Sequence, residues 1–308
     1  MKAIDSSKEL FNNHFLPRLK ERYPECIGNF AAGLIGHGSE CFGFDDEISL
    51  DHDVSNGFYI WLDEDNDIKY SVKLFRVYKE IFEEFGKEYG IKSGAVKRGV
   101  ITISDFMENT IGSKELPKSI SEWLNIPTYA LANATNGEIF YDGNGIFTKA
   151  VDYLKNEMPL DVKHKKLSAS LALAAQSGQY NFMRTVGHGE FGAAAISLTE
   201  FVQNISEAAF LLNGKFMPYY KWALKSLENL EILNDIAPKL EFLLCEATNK
   251  DTAQNKSSII EEVSAKVIDQ LKRQNLTQSN SDYLEHHAFS VASKIGDEAL
   301  KNTHIMQK

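Results

Sequence analysis

The spacing of hydrophobic positions changes character about halfway along the chain. Over residues 7–22 the apolar groups Leu10, Phe11, Phe15 and Leu19 recur at helical intervals, and Pro24 ends the run. Residues 30–35 form a short apolar stretch closed by Gly36, the pattern of a buried strand. A second strand is expected over residues 54–62, where Phe58, Tyr59, Ile60 and Trp61 supply strand propensity. The polar run Asp63, Glu64, Asp65, Asn66 and Asp67 then reads as a solvated turn. Over residues 68–89, Val72, Phe75, Tyr78, Ile81, Phe82 and Phe85 keep helical spacing, and Gly86 and Gly90 weaken the end. Residues 96–104 contain the β-branched VITIS, a third strand. A helix broken by Pro127 is predicted over 119–132. The turn signal Asn136 and Gly137, a short strand at 138–141 and the turn Asp142, Gly143, Asn144, Gly145 follow.

Beyond Pro159 nothing strand-like remains. Residues 165–175, 191–212 and 219–233 read as helices. Ser258 and Glu261 fit a capping box that opens a helix running to about Leu271. Residues 274–281 are a polar break, and a last helix places Leu284, Ala288, Val291, Ile295 and Ala299 on one stripe. The pattern divides the chain into a mixed α/β part, residues 1–150, and an all-helical part, residues 151–308.

Composition adds limits to that picture. The 308 residues are 43% hydrophobic and 25% charged, which is globular, and at about 150 residues per domain the length suits two domains. A formal net charge of -10 disfavours nucleic acid or an anionic membrane as a partner held by overall field. The three cysteines, Cys26, Cys41 and Cys245, stand in no metal-binding spacing and read as reduced thiols. The N-terminal MKAIDSSKELF has no signal-like apolar core, and no stretch approaches the ~20 apolar residues of a membrane span. A cytoplasmic protein is the expectation.

Candidate chemistry concentrates in GLIGHGSECFGFDDEISLDHD, residues 33–53. On a strand, Asp51 and Asp53 would project to one face with ~6–7 Å between their backbones. Two carboxylates so placed can share a hard divalent cation such as Mg²⁺, and Mg²⁺ is also partial to phosphate oxygens. Gly38 and Ser39 supply the complement, because glycine admits a phosphate close to backbone N–H groups and the serine hydroxyl can bond it. The alternative is an ordinary acidic surface loop. Other motifs fit less well: a dinucleotide fingerprint starting at Gly36 meets Cys41 where its last glycine belongs, and no P-loop or Gly-x-Ser-x-Gly elbow occurs. His37 with His52 and Asp53 could suggest a metal phosphohydrolase, but such a site belongs on helices.

Gly38 and Ser39 followed by Asp51-x-Asp53 between apolar segments resemble the signature of the DNA polymerase β-like nucleotidyltransferase superfamily. Within it the chain resembles an uncharacterised bacterial family, domain of unknown function 4037. The resemblance rests on GSECFGFDDEISLDHD (38–53), SEWLNIPTYAL (121–131), NGEIFYDGNGIF (136–147), QYNFMRTVGHGEFGAAA (179–195) and LLNGKFMPYYKW (211–222). It implies an α+β nucleotidyltransferase-like mixed sheet with flanking helices, followed by an all-α C-terminal domain. It also implies Mg²⁺- or Mn²⁺-dependent transfer of a nucleoside monophosphate from a nucleoside triphosphate to an acceptor, a small molecule or a protein.

By that resemblance Gly38 and Ser39 would contact the triphosphate, and Asp51 and Asp53 would hold the metal. A third carboxylate is common in such sites. Asp105, at the end of VITIS, is the candidate, with a helix N-cap as its competing role, and Asp142 reads as a turn former. Lys221, between Tyr220 and Trp222, could meet a phosphate beside a base-stacking ring, or point to water from an aromatic core stripe. His52 should face away from the two acids. Arg184 could pair with phosphate or with Glu190. Lys163, His164, Lys165 and Lys166 read as a solvated basic face, and His286 and His287 as surface. A non-catalytic nucleotide-binding protein, or an interaction protein of toxin–antitoxin type, is the alternative function.

Overall fold

A computed structural model describes residues 2–46, 57–89 and 98–308. The chain opens with α1 (Ala3–Leu10) and α2 (Leu16–Arg22), joined without a break by a π-helical turn, Phe11–Phe15. That turn rotates Phe11 and Phe15 into one buried cluster with Leu10 and Leu19. β1 (Ala31–Leu34) is buried along its length, and a 3-10 turn, Ser39–Phe42, follows it. β2 (Tyr59–Leu62) leads directly into α3 (Glu64–Phe85). β3 (Val100–Thr102) is followed at once by α4 (Ile103–Ile111), and then come α5 (Ile120–Asn125), α6 (Thr128–Thr135), β4 (Glu138–Asp142) and α7 (Ile146–Asn156). The helical part comprises α8 (Leu160–Ala174), a π-helical stretch at Ala175–Asn181, α9 (Phe182–Gly187) and α10 (Phe191–Leu212). It continues through α11 (Tyr220–Leu227), α12 (Ala237–Cys245), α13 (Lys250–Arg273), α14 (Leu284–Ala292) and α15 (Glu298–Lys301).

Two compact units emerge, residues 1–117 with 130–157, and residues 118–129 with 158–308. The first contains a mixed four-stranded sheet in the order β3-β2-β1-β4, and β1 pairs antiparallel with both of its neighbours. β2 and β3 run parallel, with α3 as the connection. Gly33 is what lets β4 lie against β1: a Cβ there would run into the Glu138 carbonyl. Phe11, Phe15, Phe30, Phe58 and Tyr78 form the centre of its aromatic core. The second unit is all helical among the described residues, and α10 runs through its core with Leu198, Phe201 and Ile205 fully buried. Among the described residues no helix is long and apolar enough to cross a membrane.

Several local expectations need correction. The acids at 63–67 are a helix start: Asp63 accepts the Asn66 amide at 2.9 Å as N-cap, and the following acids face the positive helix end. Of the predicted stripe on that helix, Val72 and Phe75 are exposed while Leu74 and Val77 are buried, so the inward face lies to one side of the predicted one. VITIS is strand only to Thr102. The Thr102 hydroxyl then caps the next helix by accepting the Asp105 amide at 3.1 Å, which puts Asp105 in the first turn of that helix.

The capping box of α13 is Asn249 with Thr252, nine residues before the expected Ser258, which sits mid-helix and donates to the Gln254 carbonyl. The helix expected over 219–233 stops at Leu227, and Leu233 adopts φ 64°. The last stripe is interrupted after Ala292, where the Asp161 carboxylate accepts the Gly296 and Asp297 amides at 3.0 and 2.8 Å. The strand start at residues 54–56 lies outside the described residues.

Candidate functional site

Sequence and packing together shape the turn after β1. The strand is clamped on both sides, so its exit is held in place, and the Asn136 side chain fixes Gly36, two residues past its end: it accepts the Gly36 amide at 3.0 Å and donates to its carbonyl at 2.8 Å. His37 is exposed, and its Nδ1 lies 3.0 Å from the Asn133 amide nitrogen. Gly38 then takes φ 118° and ψ 154°, backbone open to glycine and strained for any other residue. The Glu40 carboxylate folds back over it and would meet a Cβ at that position.

Glu40 is buried and ion-paired to the Arg98 guanidinium, whose side chain is 6% exposed. Arg98 also lies 3.7 Å from the Cys41 sulfur and over the Tyr59 ring on β2. Burial holds the Cys41 thiol neutral, pushing its pKa up to about 12 against the opposing pull of Arg98. The turn is therefore a tightly held bend in which the acid nearest Gly38 is neutralised.

Asp51 and Asp53 lie outside the described residues. The Asp105 Oδ1 accepts Lys114 Nζ at 2.8 Å, which lowers the Asp105 pKa, and both side chains are about half exposed. Asp142 shapes the turn ahead of α7, its two oxygens accepting the Gly145 and Thr148 amides at 2.8 and 2.7 Å. Lys221 is exposed, its ammonium 5.1 Å from the ring centre of Trp222. Arg184 is likewise exposed, bonded to the Tyr180 hydroxyl at 3.0 Å.

The second unit carries a cavity of about 420 Å³. Lys166, Glu207 and Lys308 bring charge to its wall, and Tyr129, Tyr219 and Tyr220 form an aromatic edge. The Tyr129 and Tyr219 rings meet edge to face, 6.0 Å between centroids. Sequence reasoning missed this place because the basic run in α8 reads as a solvated face. In the fold Lys165 and Lys166 are 2% and 3% exposed. Lys165 donates to the His304 carbonyl at 2.7 Å, and Lys166 to the Leu124 and Ile126 carbonyls at 3.0 and 2.9 Å. Those two acceptors are freed at the end of α5, where Pro127 breaks the helix. His287, also expected at the surface, is fully buried between the Thr277 hydroxyl (2.9 Å) and the Ser281 carbonyl (2.8 Å). The carbonyl requires Nε2–H, so Nδ1 accepts from Thr277.

Burial drives the Lys166 pKa down to about 8, and Glu207 opposes that fall. The sign of the linkage follows. Between that value and the ordinary lysine pKa the unfolded chain binds one proton more than the folded one, so stability rises with pH. Wild-type protein is expected to gain about 3 kcal/mol relative to Lys166→Met between pH 8 and 10.5, at 1.36 kcal/mol per pKa unit. Urea unfolding of both proteins across that window measures it; parallel pH profiles would contradict the assignment.

The sequence profile of the family described as domain of unknown function (DUF4037) matches residues 123–223, which supports a likeness to that family over this segment. The matched span includes Lys166, Glu207 and the three tyrosines of the cavity and excludes Gly38, Ser39 and Lys308. No curated protein and no solved structure matches the chain.

Proposed function

We propose that the chain is a nucleotidyltransferase that moves a nucleoside monophosphate from a nucleoside triphosphate to an acceptor hydroxyl on a small molecule or a protein. The observation that carries this reading is the bend at Gly38 and Ser39. It leaves the end of the buried β1, takes a backbone conformation suited to glycine, and is braced against β2, which begins at Tyr59 shortly after the two aspartates. Gly38 puts no side chain of its own before the backbone N–H groups of the bend, and the Arg98 countercharge reduces the repulsion that Glu40, folded over Gly38, would offer a phosphate.

Asp51 and Asp53 would hold Mg²⁺ or Mn²⁺, and the Ser39 hydroxyl would bond the triphosphate. A bound divalent ion supplies charge neutralisation on the triphosphate and aligns it for in-line displacement. The acceptor hydroxyl oxygen bonds to the α-phosphorus and releases its proton to solvent, the bond to the bridging oxygen breaks, and pyrophosphate leaves.

A second reading, nucleotide binding without turnover, is favoured by a specific observation. Asp105 is committed to Lys114 and Asp142 to its turn, so neither stands ready as a third acid.

α-Labelled ATP or GTP incubated with the full chain, Mg²⁺ and separate pools of metabolites and proteins tests the proposal. Label is expected on an acceptor, lost with EDTA and restored by Mg²⁺ or Mn²⁺. Calorimetric binding of a triphosphate without label transfer would select the second reading. Neither binding nor transfer would remove both.

A further inference from the structure

Glu207 sits five residues before the end of α10 with 6% exposure, among positions that otherwise pack the helical core. A carboxylate in such a place must keep a cation or hydrogen-bond donors around it, because desolvating a lone charge is costly. Its Oε1 accepts the Thr128 hydroxyl at 3.0 Å. Its Oε2 accepts the ammonium of Lys308, a residue 101 positions away whose side chain reaches in from an exposed stretch.

Asn204, three residues earlier on the same helix face, accepts the same ammonium on Oδ1 at 2.7 Å. The Asn204 amide nitrogen is already spent on the Glu200 carbonyl at 2.7 Å, which holds Oδ1 toward the cation. Glu207 and Asn204 thus converge on one ammonium from a rigid helix. Lys166 does not compete for the position, since it donates to the Leu124 and Ile126 carbonyls.

The rest of the cavity suits the body of an amine. Tyr129, Tyr219 and Tyr220 line it with aromatic side chains, and Met217 and Pro218 add apolar surface. A volume of about 420 Å³ lies within the range of small-molecule pockets. Aromatic faces also attract cations.

We propose that this cavity is a recognition site for a small organic amine, whose ammonium replaces that of Lys308 between Glu207 and Asn204 while its carbon skeleton lies among the tyrosines. The exchange leaves no buried charge unpaired in either state: Lys308 moves into water as the ligand cation enters. Lys308 is then an internal competitor that keeps the acid satisfied when no ligand is present. The receiving groups all lie within residues 123–223, and the competitor lies beyond them. The proposal is independent of nucleotide chemistry, and its test is run without triphosphate.

The experiment uses the full chain with n-butylamine, n-butyrate and n-butanol as probes, read by thermal unfolding and calorimetry at neutral pH. Lys308→Met is expected to lower the unfolding midpoint, and butylammonium to restore at least half of that loss. Butylammonium should bind the variant at least 10-fold more tightly than wild type, while butyrate and butanol restore nothing. Adding Glu207→Gln to Lys308→Met should abolish the rescue. If Lys308→Met does not fold, Lys308→Gln, one atom shorter than lysine and with an uncharged polar end, carries the same comparison. Rescue by butyrate or butanol as strong as by butylammonium, rescue that survives Glu207→Gln, or no amine binding to either Lys308 variant would overturn the proposal.

Discussion

Replacing Asp51 and Asp53 together with asparagine is expected to reduce nucleotidyl transfer by about 10³-fold or more, with the unfolding midpoint unchanged. Asparagine keeps the shape of each side chain and removes the charge. What is lost is the anionic seat of a divalent ion that offsets charge building on the α-phosphate and the leaving pyrophosphate, an effect of several kcal/mol. At 1.36 kcal/mol per decade, about 4 kcal/mol gives the stated factor. Initial rates of label transfer at saturating triphosphate, measured on the variant and on wild type, decide it. Transfer that survives the double substitution would show that the phosphoryl chemistry resides elsewhere. Asp105→Asn measured alongside has its own meaning: a comparable fall would make Asp105 the third acid in spite of its exposed pairing with Lys114.

Removing the cation under the bend is the second large effect. Arg98→Met is expected to destabilise the protein by about 3–5 kcal/mol, the usual cost of breaking a buried ion pair from one side. The cause is Glu40, 3% exposed, whose carboxylate would lose the guanidinium that pairs with it. Methionine retains much of the apolar stem of Arg98 and removes the guanidinium that pairs with Glu40 and lies over the Tyr59 ring, so the loss reports chiefly on charge. Arg98→Met combined with Glu40→Gln should recover a large share of the stability, because neither charge is then stranded. Urea unfolding of the two single variants and the double variant gives the coupling directly; additive losses would refute it. Because Glu40 lies against Gly38, the single variant should also weaken triphosphate binding.

The helices and strands were legible wherever the hydrophobic period was long and clean. The helix at 191–212, the buried strand after Phe30 and the capped helix after Ser119 all occur close to where the spacing puts them. Short-range chemistry was harder to read where two residues compete for one task. Asn249 outcompetes Ser258 as a cap because its extended backbone lets the side chain accept the Asp251 and Thr252 amides, and Thr252 completes the reciprocal pair of bonds. Thr102 takes the capping role that Asp105 seemed suited to, since a hydroxyl at the end of β3 reaches the free amide first.

What the sequence determined unaided is what depends on neighbours in the chain: the mixed first part, the helical second part, and a glycine-serine bend leading toward a pair of acids. Tertiary structure alone decided the fate of the ionisable groups. Lys165, Lys166 and His287 look like surface residues by local pattern, yet each is buried and hydrogen-bonded to a group far away in sequence or across a helix break. Periodicity records which side of a helix faces inward, while the partner that can satisfy a buried charge there belongs to another segment. That partner exists only once the chain has closed on itself.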